Sequence, residues 1–271
     1  LMNAIAKGGH DRMIEDAISM GSGHIQIHEK GFWENQSIDF AFVLDTNVNN
    51  ALENNSNISA HAPRIQAPVL LSSSHGTAGA LLVGIKPEDE RNISILHSKI
   101  LPGGNFLKQN DRGKAIIGER LAKNLNVKTG DTISFISQGF DGSITAEKLT
   151  VTGLIKTGSP EYDKMLMLMH IDDAKAAFSM GEHIHIIAIK LLNPDRMSET
   201  ISKLKQAAKD ADLEVMGWDE LMPVLVQFIV MDDVSGWIFD FILLMLVAFG
   251  ILNTIQMSVF ERTREFGIML A

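Results

Sequence analysis

The sequence contains no cysteine, which excludes disulfides, thiolate metal sites and thiol nucleophiles but does not identify a redox compartment. Phosphate-binding glycine patterns are missing as well. The glycine-rich stretches Gly76–Gly79 and Gly103-Gly104 match neither G-x-x-x-x-G-K-[ST] nor G-x-G-x-x-G, and they read as turns. If ATP powers this protein, another chain binds it. No H-E-x-x-H helix is present; His24 with His28, and His183 with His185, each share a strand face. Two nitrogens fall short of the three protein ligands of a catalytic zinc site, so solvated strand histidines, with no metal and no cofactor, are the expectation. Positive charge is outnumbered: the net charge of −9 would repel nucleic-acid phosphates and argues against nucleic acid as a partner. Leu1 is not an initiator Met, and no basic region followed by an apolar core opens the chain, so an export signal is expected upstream.

Against these absences stands one stretch. Trp237–Val259 reads WIFDFILLMLVAFGILNTIQMSV, with an unbroken apolar run from Phe241 to Leu252. At about 1.5 Å per residue it reaches about 35 Å, enough for a bilayer core of about 30 Å. Asn253, Thr254, Gln256 and Ser258 weaken a strict hydropathy argument, and the flanking charges carry more. No Lys or Arg occurs between Lys209 and Arg262, whereas Asp219, Glu220, Asp232 and Asp233 precede the span and Arg262 and Arg264 follow it. The positive-inside tendency puts the C-terminal end in the cytoplasm and residues 1–233 outside. Asp240 lies one turn inside the outer end. It reads as an interfacial carboxylate that reaches water, the alternative being a residue lining a lateral opening for lipid.

With 271 residues, 45% of them hydrophobic and 21% charged, there is material for a core, and for two modest domains beside the span. Leu1–Gly23 is expected to be a helix, interrupted at Gly8-Gly9 and closed by Gly21-Ser22-Gly23. From Gly23 to Gly217 the pattern is α+β. Strands are expected at His24–His28, Pro63–Ser72, Ala80–Ile85, Ala115–Gly118, Thr132–Ser137, Met165–His170, Ile184–Leu192 and Leu213–Met216, with another through Leu149–Ile155. Helices are expected at Asn47–Glu53, Pro87–His97 and Glu119–Val127, and after Asn193-Pro194, where Met197, Ile201, Leu204, Ala208 and Ala211 make an apolar stripe. From Trp218 a further helix, burying Leu221, Leu225 and Phe228, is expected to continue as a stalk into the span. Residues 86–158 read as a separate β-rich module.

One set of short motifs imitates a penicillin-binding enzyme. Ser202-x-x-Lys205 matches S-x-x-K, and K-T-G occurs at Lys128–Gly130 and Lys156–Gly158. Both triplets precede the serine, no S-D-N accompanies them, and Ser202 lies off the apolar stripe of its helix, so no enzyme is expected here.

Glu261–Ala271, ERTREFGIMLA, reads as a charged turn leading into an apolar helical pattern. A topology anchor needs only the arginines. Alternating Glu261, Arg262, Thr263, Arg264 and Glu265, followed on either side of Gly267 by apolar Phe266, Ile268 and Met269, make an amphipathic surface suited to docking on another protein.

The run N-T-I-x-M-S-V-F-E-R-T-R-E-F-G-I-M-L-A, Asn253–Ala271, resembles the segment that joins the second transmembrane helix to the coupling helix in permease subunits of MacB, FtsX and LolC/LolE-type ABC transporters. Phe266 stands where that family usually has Ile. Gly23–Phe32, G-H-I-Q-I-H-x-x-G-F, and Gly84–Glu90, G-I-K-P-E-D-E, are most similar to the lipoprotein-releasing LolC/LolE branch. The resemblance implies an α+β periplasmic domain, with a Porter-like subdomain at 24–85 and 159–217 and a β-rich Sabre-like insert at 86–158. It implies a helix leaving an upstream span at 1–23, a stalk at 218–233, one transmembrane helix at 234–260, and the start of a coupling segment at 261–271. It further implies the bacterial inner membrane, cytoplasmic ATPase subunits on separate chains, a second permease subunit and a membrane lipid or lipoprotein substrate. MacB-type efflux and FtsX-like regulation of a cell-wall hydrolase are the alternatives. The family's motif usually continues to a Gly one or two residues beyond Ala271, and its first transmembrane helix is not in this sequence, so a fragment is expected.

Overall fold

The structure is a computed structural model that describes residues 2–209 and 211–269. It divides into two compact units, one of Ile14–Leu221 and one of Leu1–Met13 with Met222–Ala271. Along the chain run α1 (Met2–Ala17), a π-helical turn (Ile18–Ser22), β1 (Ile25–Glu29), α2 (Phe32–Asn35), α3 (Thr46–Glu53), β2 (Ile58–Ser72), β3 (Thr77–Ile85) and α4 (Pro87–Ile93). Then follow β4 (Lys114–Gly118), α5 (Glu119–Leu125), β5 (Thr132–Gln138), β6 (Ile144–Ile155), α6 (Tyr162–Met165), β7 (Leu166–His170) and α7 (Ile171–Ala177). The chain ends with β8 (Ile186–Leu191), α8 (Met197–Ala207), β9 (Leu213–Gly217), α9 (Trp218–Leu221) and α10 (Pro223–Met269).

The nine strands of the described residues share one sheet, ordered β3-β7-β4-β6-β5-β2-β8-β1-β9, and β3 also pairs with β2. That extra pairing closes β3, β7, β4, β6, β5 and β2 into a six-stranded barrel, and β8, β1 and β9 extend from it as an open sheet. Strand β2 belongs to both parts: residues up to Arg64 pair with β8, those from Arg64 onward pair with β3, and Leu70–Ser72 add β5. Its two prolines, Pro63 and Pro68, each sit where the strand has a partner on one side, which is where a missing amide does least harm.

Alternation with period two fills the barrel. Ile65, Ala67, Val69 and Leu71 of β2 meet Leu82, Ile117, Phe135, Val151 and Met167, with Leu121 and Leu125 of α5 and Phe178 closing the core. On the open sheet, Ile25, Ile27, Ile187, Ile189 and Val215 pack on Val48 and Leu52 of α3 and Leu204 of α8. Leu96, Phe106 and Leu107 cover the outside of the barrel over Val83, Ile116 and Leu168. Each large apolar side chain buried this way contributes roughly 1.5–3 kcal/mol.

Several sequence expectations need correction. Helix α1 runs through Gly8 and Gly9 without interruption, and apart from the neighbouring residues and backbone of the helix itself no described atom lies within 4 Å of a Cβ at either position. The helix expected over Pro87–His97 ends at Ile93, where Ser94 turns extended and donates its amide to the Glu90 carbonyl. Trp218 does not begin a continuous stalk. Helix α9 stops at Leu221 and α10 starts at Pro223, because proline has no amide to donate and pushes the preceding residue out of the helical region. Phe228, expected to be buried, is 53% exposed. Glu261 opens no turn, since α10 continues to Met269, with no proline in 261–269 to stop it and Gly267 tolerated within the helix.

Candidate functional site

Both ends of the unit Ile14–Leu221 meet on one strand pair. Strands β1 and β9 are antiparallel, with Ile25 opposite Gly217, and the Trp218 amide donates to the His24 carbonyl at 3.0 Å. The residue that leads into the sheet, Gly23, has φ +71, and a Cβ there would stand 2.8 Å from the Ile189 carbonyl oxygen, so only glycine fits.

Just upstream, the π-helical turn kinks at Gly21, φ +131, and neighbouring segments take up its carbonyls. Ile95 donates its amide to Ser19 at 2.9 Å, Gln26 Nε2 donates to Ser22 at 2.8 Å, and Arg64 Nη1 donates to Gly21. Arg64 is buried on β2 and forks onto Glu90 of α4, Nε to Oε2 at 2.9 Å and Nη2 to Oε1 at 2.8 Å. Ser94 Oγ donates to Glu90 Oε1 at 2.6 Å. With the Glu90 side chain 1% exposed, removing either partner alone would leave a buried charge, a loss of typically about 3–5 kcal/mol.

The second unit is built on α10. Its 47 residues extend about 70 Å, more than twice a bilayer core of about 30 Å. Within Pro223–Phe260 the most apolar 18-residue window has a mean hydropathy of 2.3, and no part of that window is buried inside the protein. Above the span, the buried His10 of α1 hydrogen-bonds Asp232 Oδ2 through Nε2 at 2.8 Å and lies 3.8 Å from Asp233. Asp232, Gly236 and Asp240 are spaced one turn apart along one face of α10, and Asp240 is partly exposed. Glu261, Arg262, Thr263, Arg264, Glu265, Phe266 and Gly267 all lie in the last turns of α10. Arg262, Thr263 and Gly267 are exposed, and the Thr263 hydroxyl donates to the Val259 carbonyl. The side chains of Glu261, Arg264, Glu265 and Phe266, and Leu270 and Ala271 entirely, lie outside the described residues.

The histidines are not solvated strand residues, which corrects the sequence expectation. His24, His28 and His185 are buried, and β8 begins only at Ile186, after His183 and His185. His185 accepts the Gln66 amide on Nδ1 at 3.1 Å and hydrogen-bonds the Ile38 carbonyl through Nε2 at 3.1 Å, an arrangement that suits neutral imidazole. Burial lowers its pKa to about 4, against the opposing pull of the Ile38 carbonyl. Burial also lowers the pKa of His24, whose Nδ1 accepts the Leu191 amide. Among the described residues no three His, Asp or Glu side chains come together to hold a metal. Ser202 is exposed on α8 and donates to the Ser198 carbonyl, while the two K-T-G triplets follow α5 and β6.

The joint between Arg64, Glu90 and Gly21 was not among the sequence candidates. Its signal was a lone charge inside the apolar strand run Ile58–Ser72, which a buried strand tolerates only with a partner.

Residues 1–207 match the family model of the MacB-like periplasmic core domain. The lipoprotein-releasing system transmembrane protein LolC of Neisseria meningitidis is 26% identical over 83% of this chain, and the chain spans 56% of that protein's length. Among solved structures, the periplasmic region of MacB from Actinobacillus actinomycetemcomitans shares the fold at a TM-score of 0.53 and 17% identity, over 76% of this chain and 94% of that one. The extracellular domain of the ABC-type transporter YknZ from Gram-positive bacteria does so at 0.51 and 16% identity, over 71% and 99%. The match over residues 1–207 shows that the chain belongs to the MacB-like periplasmic core domain family, within the MacB/FtsX/LolC superfamily of ABC transporter permeases and LolC-like in branch: an α+β domain of this fold followed by one long apolar helix.

Proposed function

We propose that this chain is the non-catalytic permease subunit through which cytoplasmic ATPase subunits, carried on separate chains and acting with a second permease subunit, do work in the periplasm on a lipid-anchored substrate, with lipoprotein release as the reaction. The observation that carries this reading is α10. It runs without a break from the residue after Met222, next in sequence to the last elements of the periplasmic domain, through the apolar span to the charged segment Glu261–Gly267. An unbroken helix offers a direct path by which a push at its cytoplasmic end reaches its periplasmic end, without a channel through the subunit. Residues 86–158 are the Sabre-like insert in this reading, and 24–85 with 159–217 the Porter-like part, the two sharing the barrel wall. The LolC relative supports lipoproteins as the substrate class.

MacB-type efflux is the second reading, favoured by the fold shared with the periplasmic region of MacB. Depletion of the full-length permease in cells separates the two. Lipoprotein release predicts that outer-membrane lipoproteins accumulate in the inner membrane, and efflux predicts normal lipoprotein sorting with increased sensitivity to an exported toxic compound. Normal sorting after depletion would sink the first reading.

A further inference from the structure

Arg64 occupies an unusual place in the topology. It is the residue at which β2 changes partners, opposite Ile186 of β8 on one side and Ile85 of β3 on the other. Its guanidinium spends two donors on Glu90 and sends a third to the carbonyl of Gly21, in the kink through which the chain passes from α1 into the sheet. An ion pair that only fastened α4 to the sheet would not need that third bond. The segment after α4 also grips the kink, since Ile95 donates its amide to Ser19.

We infer that Arg64 is a positioning residue that couples the incoming helix α1 to the barrel: Glu90 fixes the guanidinium, and the guanidinium ties the Gly21 kink to the strand shared by open sheet and barrel. A displacement of the kink is then delivered at the point where β2 enters the barrel wall. This rests on the proposed function, in which ATP-driven motion enters through α10, to which α1 is tied by the His10–Asp232 hydrogen bond.

The test uses full-length permease co-purified with its ATPase subunits in lipid nanodiscs, with hydrogen exchange read by mass spectrometry with and without ATP. Two variants are compared with wild type. Arg64→Met/Glu90→Leu removes both charges together, so neither is left buried alone. Arg64→Lys keeps a charge for Glu90, but one ammonium cannot fork that carboxylate and reach Gly21 at once. In wild type, ATP should change exchange both in residues 18–24 and in the barrel strands β4–β7. In the double variant the change in 18–24 should persist and that in the barrel should fall about tenfold, with ATP hydrolysis kept, as expected when a coupling residue is lost. Arg64→Lys should lie between. If either folded variant passes the change to the barrel as wild type does, the coupling role of Arg64 is wrong and the transporter reading stands. If ATP changes nothing in the wild-type periplasmic domain, the transmission reading itself falls, and this inference with it. Should the double variant fail to fold, Arg64→Lys decides alone.

Discussion

The barrel and the α10 span carry comparable apolar side chains in opposite surroundings. In the barrel, Phe135, Leu82 and Ile117 are fully buried against other side chains, whereas Leu246, Phe241 and Ile251 of the span are more than half exposed. The barrel is stable because its side chains interlock, so each shape matters. The span needs only to be apolar, since lipid tails take the place of neighbours and are as apolar as leucine itself. One region therefore encodes a unique structure, and the other a solvent preference.

The largest contrast should follow from matched truncations. Phe135→Ala should destabilise the periplasmic domain by about 3–5 kcal/mol, through lost transfer energy and the cavity left behind. Leu246→Ala should change insertion by only about 0.5 kcal/mol. Thermal unfolding of the full-length protein in detergent, read by hydrogen exchange of the barrel strands, measures the first, and membrane fractionation the second. Equal effects at the two sites would mean that Leu246 faces protein instead of lipid.

Where the helix leaves the bilayer the contrast changes character, because a charge can serve as an anchor or as part of a docking surface. Arg264→Glu leaves Arg262 to hold the cytoplasmic end. If this segment docks on the ATPase, the reversal should weaken co-purification by a factor of roughly 30 or more, the effect of a like or unpaired charge at an interface, typically about 2–5 kcal/mol. An exposed anchor charge would be worth about 0–1 kcal/mol. Normal ATPase recovery with a correctly inserted variant would leave only the anchor.

Much of the difference between the two regions was legible in the sequence because both signals are local. The stripe begun by Met197, Ile201 and Leu204 and the apolar run Phe241–Leu252 can be read from spacing alone, and α8 and α10 follow them, although α8 ends at Ala207, short of the expected Ala208 and Ala211. Barrel closure was not legible, since it depends on β3 pairing in parallel with β7 some eighty positions later. Helix α7 escaped because its N-cap is a histidine: His170 Nδ1 accepts the Asp172 amide, a role usually read from Ser, Thr, Asp or Asn. The Arg64 joint combines three segments far apart in sequence, so spacing could show a charge in need of a partner but not the partner.

Acid should act on the barrel and sheet and spare the span. His185 is neutral and buried in the fold with a pKa of about 4, against about 6.5 in the unfolded chain. Between those values the unfolded state binds the extra proton. The stability contributed by neutral His185 is thus complete above pH 6.5 and lost as pH falls toward 4, by about 3 kcal/mol. His24 and His170, also shifted down by burial, act in the same direction. Unfolding temperatures of wild type and His185→Gln should converge as pH falls from 7 to 4. A gap that stays constant would show that His185 is not the neutral, buried group described here.

The smallest effect sharpens the comparison at α1, whose described part belongs to both units. Gly8 and Gly9 are exposed, both are helical, and apart from the neighbouring residues and backbone of the helix itself no described atom lies within 4 Å of where a Cβ would stand. If helix formation is all that this stretch requires, Gly9→Ala should stabilise it by up to about 1 kcal/mol, the difference in helix propensity, with part of the gain coming from a less flexible unfolded chain. If another chain packs closely on these glycines in the assembled transporter, as small residues allow between membrane helices, the added methyl should instead lower the yield of the intact complex. Hydrogen exchange of residues 7–13 in the isolated permease reads the first effect, and recovery of the complex on size exclusion reads the second. Slower exchange with unchanged recovery identifies the pair as a tolerated weakness in a solvated helix. Slower exchange with reduced recovery marks the same two residues as a contact surface, and the exposed stretch of α1 then follows the rule of the barrel, where shape matters, and not that of the span.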